Sequence, residues 1–371
     1  MKIIFTQSDS IDEFKRQLEE IIKGSKSILI LSCDENNYNL ELMNNILSKY
    51  NTPIFGGIFP QIIYKNKAYK KGVIFISLDD EIDVFYIENY SKKDINELNY
   101  LIEKNYGFLN EEIKTMFVFI DGLSKSIDKM LISLFDNFGL TINYIGAGTG
   151  SLSFEQKPSV FTNKGLLYDA MLLATSKLDS SLSVKHGWDT ISSPFKITYS
   201  SDNILHEIEY ENVVKKYKSI VETLCGKTIN SDNFYEISQY YPFGINKLSG
   251  EVIVRDLIKI EGDSIIILGN ISENCFISIL NSDEEKLIKA AKIAKNEVSM
   301  EKENFTFVID CISRALILED SFQKELDVLY EKDEVLVGAL TLGEIANNKN
   351  KYLEFYNKTI VVSKIEKKND K

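Results

Sequence analysis

Three times along this 371-residue chain, the same order of features recurs. A short apolar run meets a polar turn, a helical pattern follows, a second apolar run is broken by glycine, and a final apolar run closes the set. The first copy opens on Ile28-Leu29-Ile30-Leu31 and Cys33-Asp34 and carries Leu40, Met43, Ile46 and Leu47 at helical spacing. It then passes Pro53-Ile54-Phe55-Gly56-Gly57 and closes on Val73-Ile74-Phe75-Ile76. The second opens on Met116-Phe117-Val118-Phe119-Ile120-Asp121-Gly122, passes Ile145-Gly146-Ala147-Gly148 and closes on Ala170-Met171-Leu172-Leu173-Ala174. The third opens on Phe307-Val308-Ile309-Asp310-Cys311, passes Leu336-Val337-Gly338-Ala339 and closes on Ile360-Val361-Val362. Apolar runs this short are strands buried on both faces, so the recurrence limits the chain to repeated strand-helix-strand units with mixed sheets flanked by helices, an α/β fold.

The chain is longer than one core usually organises, which predicts two packed domains. The stretch 226–241, rich in Gly, Asn, Ser and Asp, is the best boundary, giving domains over 1–225 and 226–371. Ahead of it, Phe195-Lys196-Ile197-Thr198-Tyr199 and Ile204-Leu205-His206-Glu207-Ile208 read as a strand pair turning at Ser200–Asn203. A helix carrying Val213, Val214, Tyr217, Ile220, Val221 and Leu224 follows and stops at Gly226. Two capping boxes, Ser10-Ile11-Asp12-Glu13 and Ser282-Asp283-Glu284-Glu285, are expected to start helices.

A formal charge of −12 repels phosphate backbones and argues against nucleic acid as a partner. The densest basic run, Lys65 to Lys71, reads as a solvated hairpin. No stretch reaches the roughly 18 apolar residues of a membrane helix, and the first residues lack the pattern of a signal peptide. Cys33, Cys225, Cys275 and Cys311 are scattered, without a paired spacing that would suggest zinc or a disulfide framework, so a reducing cytoplasm is expected, with no metal and no cofactor. The glycines of Gly146-Ala147-Gly148-Thr149-Gly150 are wrongly spaced for a dinucleotide fingerprint, and Leu152 to Pro158 opens no helix. Phosphate-loop, nucleophile-elbow and H-E-x-x-H motifs are absent from the sequence.

Polar residues at the carboxyl ends of buried strands point into the crevice where open α/β sheets bind ligands. At the third copy these residues also carry a family likeness. Cys311-Ile312-Ser313-Arg314, Gly343-Glu344-Ile345 and Tyr356-Asn357-Lys358-Thr359 resemble the Cys-x-x-Arg, Gly-Glu-Ile and Asn-x-Thr motifs of the FIST carboxyl-terminal domain. Phe55-Gly56-Gly57, Ile145-Gly146-Ala147-Gly148 and His186-Gly187-Trp188 resemble the FIST amino-terminal domain. Glu209-Tyr210 stands where that family tends to have Asp-Gly, and Gly150-Ser151 where an acidic residue is common. The resemblance spans about residues 28–365. It implies a bacterial sensory input module proposed to bind small ligands such as amino acids and often fused to chemoreceptor, kinase or cyclase outputs. Since the chain stops soon after its last strand, the output is expected to be a separate signalling protein of one of those types.

An amino acid presents a carboxylate and an ammonium, so its receptor needs a forked cation and an acid. Arg314 and Glu344 are the natural pair. Asn357 and Thr359 offer hydrogen bonds, although such residues more often satisfy backbone at the start of a strand. The candidate ligand-binding set is Arg314, Glu344, Cys311, Asn357, Thr359, Gly343, His186 and Gly146, with no catalytic residue assigned. Two alternatives stand beside the sensor: a protein-interaction scaffold without ligand, and a cysteine-dependent enzyme using Cys311 with His186 as base.

Overall fold

A computed structural model describes residues 1–107, 109–301, 304–332, 334–347 and 352–367; the polar tail from 368 onward lies outside them. The first unit runs β1 (Ile3–Thr6), α1 (Ile11–Ile21), β2 (Ser27–Cys33), α2 (Leu40–Leu47) and β3 (Ile54–Phe59), then a hairpin of β4 (Gln61–Tyr64) and β5 (Lys67–Tyr69), and β6 (Val73–Leu78). β2 is buried at every position. Alternation explains why: Ile28 and Ile30 pack beneath Phe14 and Leu18 of α1 and Met43 of α2, while Leu29 and Leu31 face the central core.

The second unit repeats the plan with β7 (Asp83–Glu88), α3 (Ile95–Tyr106), β8 (Thr115–Asp121), α4 (Ile127–Phe138) and β9 (Asn143–Thr149). Its hairpin is β10 (Val160–Thr162) with β11 (Gly165–Leu167), and it closes on β12 (Ala170–Ser176). The third unit starts with β13 (Ser180–Lys185) and is interrupted at once by an insertion. That insertion holds β14 (Asp189–Thr190), β15 (Phe195–Ser201), β16 (Ile204–Ile208), β17 (Glu211–Asn212), α5 (Val213–Cys225), α6 (Phe234–Ser238), β18 (Phe243–Asn246), β19 (Val252–Arg255), β20 (Leu257–Glu261), β21 (Ser264–Ile267) and β22 (Phe276–Asn281). The unit then resumes with α7 (Glu284–Glu297), β23 (Asn304–Cys311), α8 (Ile312–Leu318), α9 (Phe322–Leu329) and β24 (Leu336–Thr341). Its hairpin is β25 (Glu344–Asn347) with β26 (Leu353–Tyr356), and β27 (Ile360–Glu366) closes it.

Each unit builds its own sheet in one pattern. The second long strand lies parallel to the first, as β3 to β2, β9 to β8 and β24 to β23. The closing strand is antiparallel on the other side of the first, and the leading strand is antiparallel to the closing one. The hairpins, however, do not stay at home. β4 of the first unit pairs with β24 of the third, β25 of the third with β9 of the second, and β10 of the second with β3 of the first. The exchange is cyclic and yields three six-stranded sheets, each finished by a neighbour's hairpin. The inner faces meet in one core that includes Leu31, Phe55, Phe117, Phe119, Phe307 and Val361.

One glycine position recurs in all three sheets. Gly56, Gly146 and Gly338 lie opposite Ile30, Val118 and Val308 in the parallel pairs. A Cβ there would come to 2.0, 2.0 and 2.1 Å from the carbonyl oxygens of those partners. Close backbone approach therefore dictates glycine.

The insertion's sheet unites chain from both sides of residue 225: β15 pairs with β22, and β16 with β21. The β16–β17 turn is Glu209-Tyr210, and both residues have positive φ, 53° and 63°. A two-residue hairpin turn of this kind favours Asp-Gly. Both expected capping boxes differ in detail. Ser10 starts α1 without a side-chain cap bond, and at α7 the cap is Asp283 rather than Ser282, accepting from the Lys286 amide at 2.9 Å. A carboxylate one residue nearer the helix wins the capping position.

Candidate functional site

Cys311 ends β23 directly beside Thr341, which ends β24. The chain then reverses through Gly343, whose φ is +101° and whose Cβ, were there one, would strike the Phe355 ring at 2.2 Å. This reversal sets Glu344 behind Thr341, whose Oγ1 donates to Glu344 Oε1 at 2.9 Å. The connection from β26 to β27 passes alongside, and its Thr359 carbonyl accepts from the Cys311 amide at 3.1 Å. The insertion contributes Asp256, between β19 and β20, and Trp188.

Of these groups, Cys311, Thr341 and Asp256 line a narrow cleft together with Phe154, Tyr235 and Ser313; its free volume is about 10 Å³, enough for about one water. Phe154 and Tyr235 close it edge to face, with ring centroids 6.2 Å apart. Phe154 holds a positive φ of 53°, an unfavourable conformation for an aromatic residue. A roomier groove of about 220 Å³ lies on the insertion near Cys225, Glu236 and Tyr241. No buried polar group without a hydrogen bond faces it, so it is a weaker candidate.

Beneath the cleft lies a fully buried lysine. Lys358 Nζ is 2.9 Å from Asp256 Oδ1 and stands 5.4 Å above the Trp188 ring. The Trp188 indole N–H donates to the Lys358 carbonyl at 3.3 Å. The ion pair is in contact but poorly aligned: neither Lys358 Nζ nor Asp256 Oδ1 completes a hydrogen bond. Lys358 also has a positive φ, 51°. The other Asp256 oxygen accepts from the Ser313 hydroxyl.

Glu344 Oε2 likewise lacks an aligned partner, although the Cys311 thiol and the Thr359 amide lie close enough to favour its ionised form. Burial outweighs them and holds the Glu344 carboxyl well above the usual range. Burial, then the neighbouring Glu344 and Asp256, pushes the Cys311 thiol up as well. A thiol in this state is a poor nucleophile.

Arg314 is turned inward. Its Nε and Nη2 donate to the two carboxylate oxygens of Glu325 at 3.1 and 2.7 Å. Nη1 donates to the His186 carbonyl at 2.7 Å, Nη2 also to the Leu287 carbonyl at 3.0 Å, and Asp310 Oδ1 lies 3.1 Å from Nε. The guanidinium is committed to fixing α8 against α7, α9 and the start of the insertion, and it offers no free fork to a carboxylate in the cleft. His186 sits on that same structural network. Its Nδ1 accepts from the Trp188 amide at 2.9 Å, and burial followed by the charge of Arg314 lowers its pKa to about 4.

Asn357 and Thr359 spend their side chains on backbone: Asn357 Oδ1 accepts from the Asp256 amide at 3.1 Å, and Thr359 Oγ1 donates to the Asn357 carbonyl at 2.7 Å. Gly146 serves strand packing in β9. Of the eight residues singled out in the sequence, Cys311 lines the cleft. Glu344, Thr359 and Asn357 hydrogen-bond the lining residues Thr341, Cys311 and Asp256 from behind, with Gly343 making the turn before Glu344, while Arg314, His186 and Gly146 hold the frame. Asp256, Lys358 and Ser313 were missed. Lys358 and Ser313 lie inside the Tyr356–Thr359 and Cys311–Arg314 motifs, and Arg255-Asp256 is a charged pair within an apolar run, a signal for a buried ionic group.

Among the described residues, no three His, Cys, Asp or Glu side chains are grouped to hold a metal, and no helix is long and apolar enough to cross a membrane. The fold and cleft define an α/β protein with a buried polar cleft where the second unit, the third unit and the insertion meet. Family models match the chain as a FIST N domain over 13–211 and a FIST C domain over 214–347. The chain therefore belongs to the FIST family of signal-transduction sensory domains. No curated protein matches it.

Proposed function

We propose that this protein is a cytoplasmic sensor which takes a small polar ligand, with amino acids as the favoured class, into the cleft beside Cys311 and signals to a partner protein. One observation carries the reading: Asp256 stands in the wall of this cleft with Lys358 Nζ 2.9 Å from its Oδ1, the Glu344 carboxyl lies behind the wall residue Thr341, and the buried atoms Asp256 Oδ1, Lys358 Nζ and Glu344 Oε2 complete no hydrogen bond. An unmade bond of a buried polar group costs about 1–3 kcal/mol. A ligand that supplies the missing partners recovers that cost, which favours an open, occupied state over the closed one. The lid is the Phe154–Tyr235 contact, joining the β9–β10 loop to α6 of the insertion. Its displacement would change the surface shown to a partner. All four cysteines are free thiols, in keeping with a reducing compartment.

The cysteine-enzyme alternative finds little support, because the Cys311 thiol is held in its unreactive form and His186 Nδ1 is engaged by Trp188. The deciding experiment is a titration with the proteinogenic amino acids, following melting temperature and Trp188 emission together. Ligand at a hundred times its Kd adds about 2.7 kcal/mol of stability. A rise in melting temperature with an emission change supports the sensor. A flat response to every compound favours an interaction scaffold instead.

A further inference from the structure

We propose that the chemical group recognised in the cleft is an ammonium, received by Asp256 in exchange for Lys358. The proposal rests on the sensor reading above and narrows it to a class of ligand, the small primary amines, amino acids among them.

The polar side chains on the cleft wall are an acid, Asp256, three hydroxyls, Ser313, Thr341 and Tyr235, and the Cys311 thiol, with the Glu344 carboxyl immediately behind Thr341. Among the described residues, the cations nearby are taken: Arg314 is forked onto Glu325, Lys358 lies against Asp256, and Arg255 donates to the carbonyls of Asn270, Val254 and Phe355. A ligand carboxylate meets no free cation, whereas an ammonium meets acceptors. Phe154 and Tyr235 supply the opposite wall with aromatic rings, surfaces that attract cations.

The protein already contains an ammonium bound in this manner. Lys358 Nζ touches a carboxylate oxygen at 2.9 Å and faces an indole ring at 5.4 Å. Its contact with Asp256 lacks hydrogen-bond alignment, so a mobile guest able to align with Asp256 is a better partner for that oxygen than the tethered lysine. Released from Asp256, Lys358 retains the Trp188 face and becomes available to a carboxylate if the guest has one. An amino acid would use both groups and a simple amine only the first.

The test uses the full chain with glycine, L-alanine, L-serine, L-leucine and L-phenylalanine. Each is compared with its decarboxylated amine, its N-acetyl derivative and its deamino acid, and read by melting temperature and Trp188 emission. We expect at least one amino acid or amine to bind, its N-acetyl derivative to bind at least tenfold more weakly, and Asp256→Asn to cost at least tenfold in affinity. Because that variant strands a buried lysine, Asp256→Asn combined with Lys358→Met provides a charge-neutral version, expected to fold and to lose binding equally. Binding by the amine and the amino acid alike, or by the amino acid alone, supports the proposal and identifies which source Lys358 permits. N-acetyl or deamino compounds binding as well as their parents, or undiminished binding in the double variant, overturn it while leaving the sensor intact. If no compound of any kind binds, both readings fall together.

Discussion

Arg314 reaches Glu325 across the α8–α9 corner with two parallel bonds of 3.1 and 2.7 Å, and neither side chain has any exposed surface. Burial opposes the charge of Arg314, but Glu325 and Asp310 more than offset it and hold the guanidinium firmly protonated. Removing one partner leaves the other as an uncompensated buried ion. Arg314→Met should therefore cost about 3–5 kcal/mol, measured by urea unfolding. Arg314→Lys should recover little of this, because an ammonium cannot reproduce the fork. Loss of ligand response without loss of stability would contradict a framework role for this residue.

The Glu209-Tyr210 turn carries strain that the fold does not need. Tyr210 is 82% exposed, so its ring contributes little packing, while its φ of 63° belongs to glycine. Tyr210→Gly should stabilise the protein by about 1 kcal/mol, the lower end of the left-handed penalty, seen as a higher urea midpoint with an unchanged slope.

The cysteines should separate by reactivity. Burial pushes Cys33 up to about 12 and Cys275 to about 11, and it holds Cys311 well above the ordinary thiol range. Cys225 is only partly buried. Iodoacetamide at neutral pH, followed by peptide mapping, should label Cys225 first and leave Cys33 and Cys311 protected until the chain unfolds. Rapid labelling of Cys311 in the native protein would revive the enzyme alternative.

His186 imposes a pH dependence of definite sign. Its folded pKa of about 4 lies below the ordinary 6.5, so between those values the unfolded chain binds more protons and stability rises with pH. The contribution is complete above about 6.5, falls away towards pH 4 and is on the order of 3 kcal/mol, the difference between the two pKa values at about 1.4 kcal/mol per unit. His186→Gln should flatten the melting-temperature profile between pH 4 and 6.5 relative to the parent. Glu344 acts in the opposite sense: its raised folded pKa contributes stability at low pH that is lost as pH rises through that value.

The three sheets' central strands were legible because runs such as Ile28–Leu31 and Phe117–Ile120 are apolar at successive positions and too short for helices, the pattern of strands covered on both faces. Where each hairpin docks was not. Gln61–Tyr64 fixes which side chains turn inward, but nothing local distinguishes the edge of β24 from that of β3. In the site, Cys311 and Glu344 could be found because they follow strand ends. The partner of Arg314 could not, since Glu325 sits on an amphipathic helix where acids normally face water. Lys358 and Asp256 escaped for the same reason: lysine and aspartate are expected at the surface, and only the assembled insertion buries them together.

The traded hairpins make a closed ring of dependence with no loose end. A fragment ending near residue 225 would keep β9 but lose β25, leaving an unpaired, glycine-bearing strand open to water, and it would keep β4 and β5 with no β24 to rest on. Bare edges of that kind recruit other chains. The two family segments in this protein are thus tied into one another's sheets, and neither is expected to survive as a soluble module once separated.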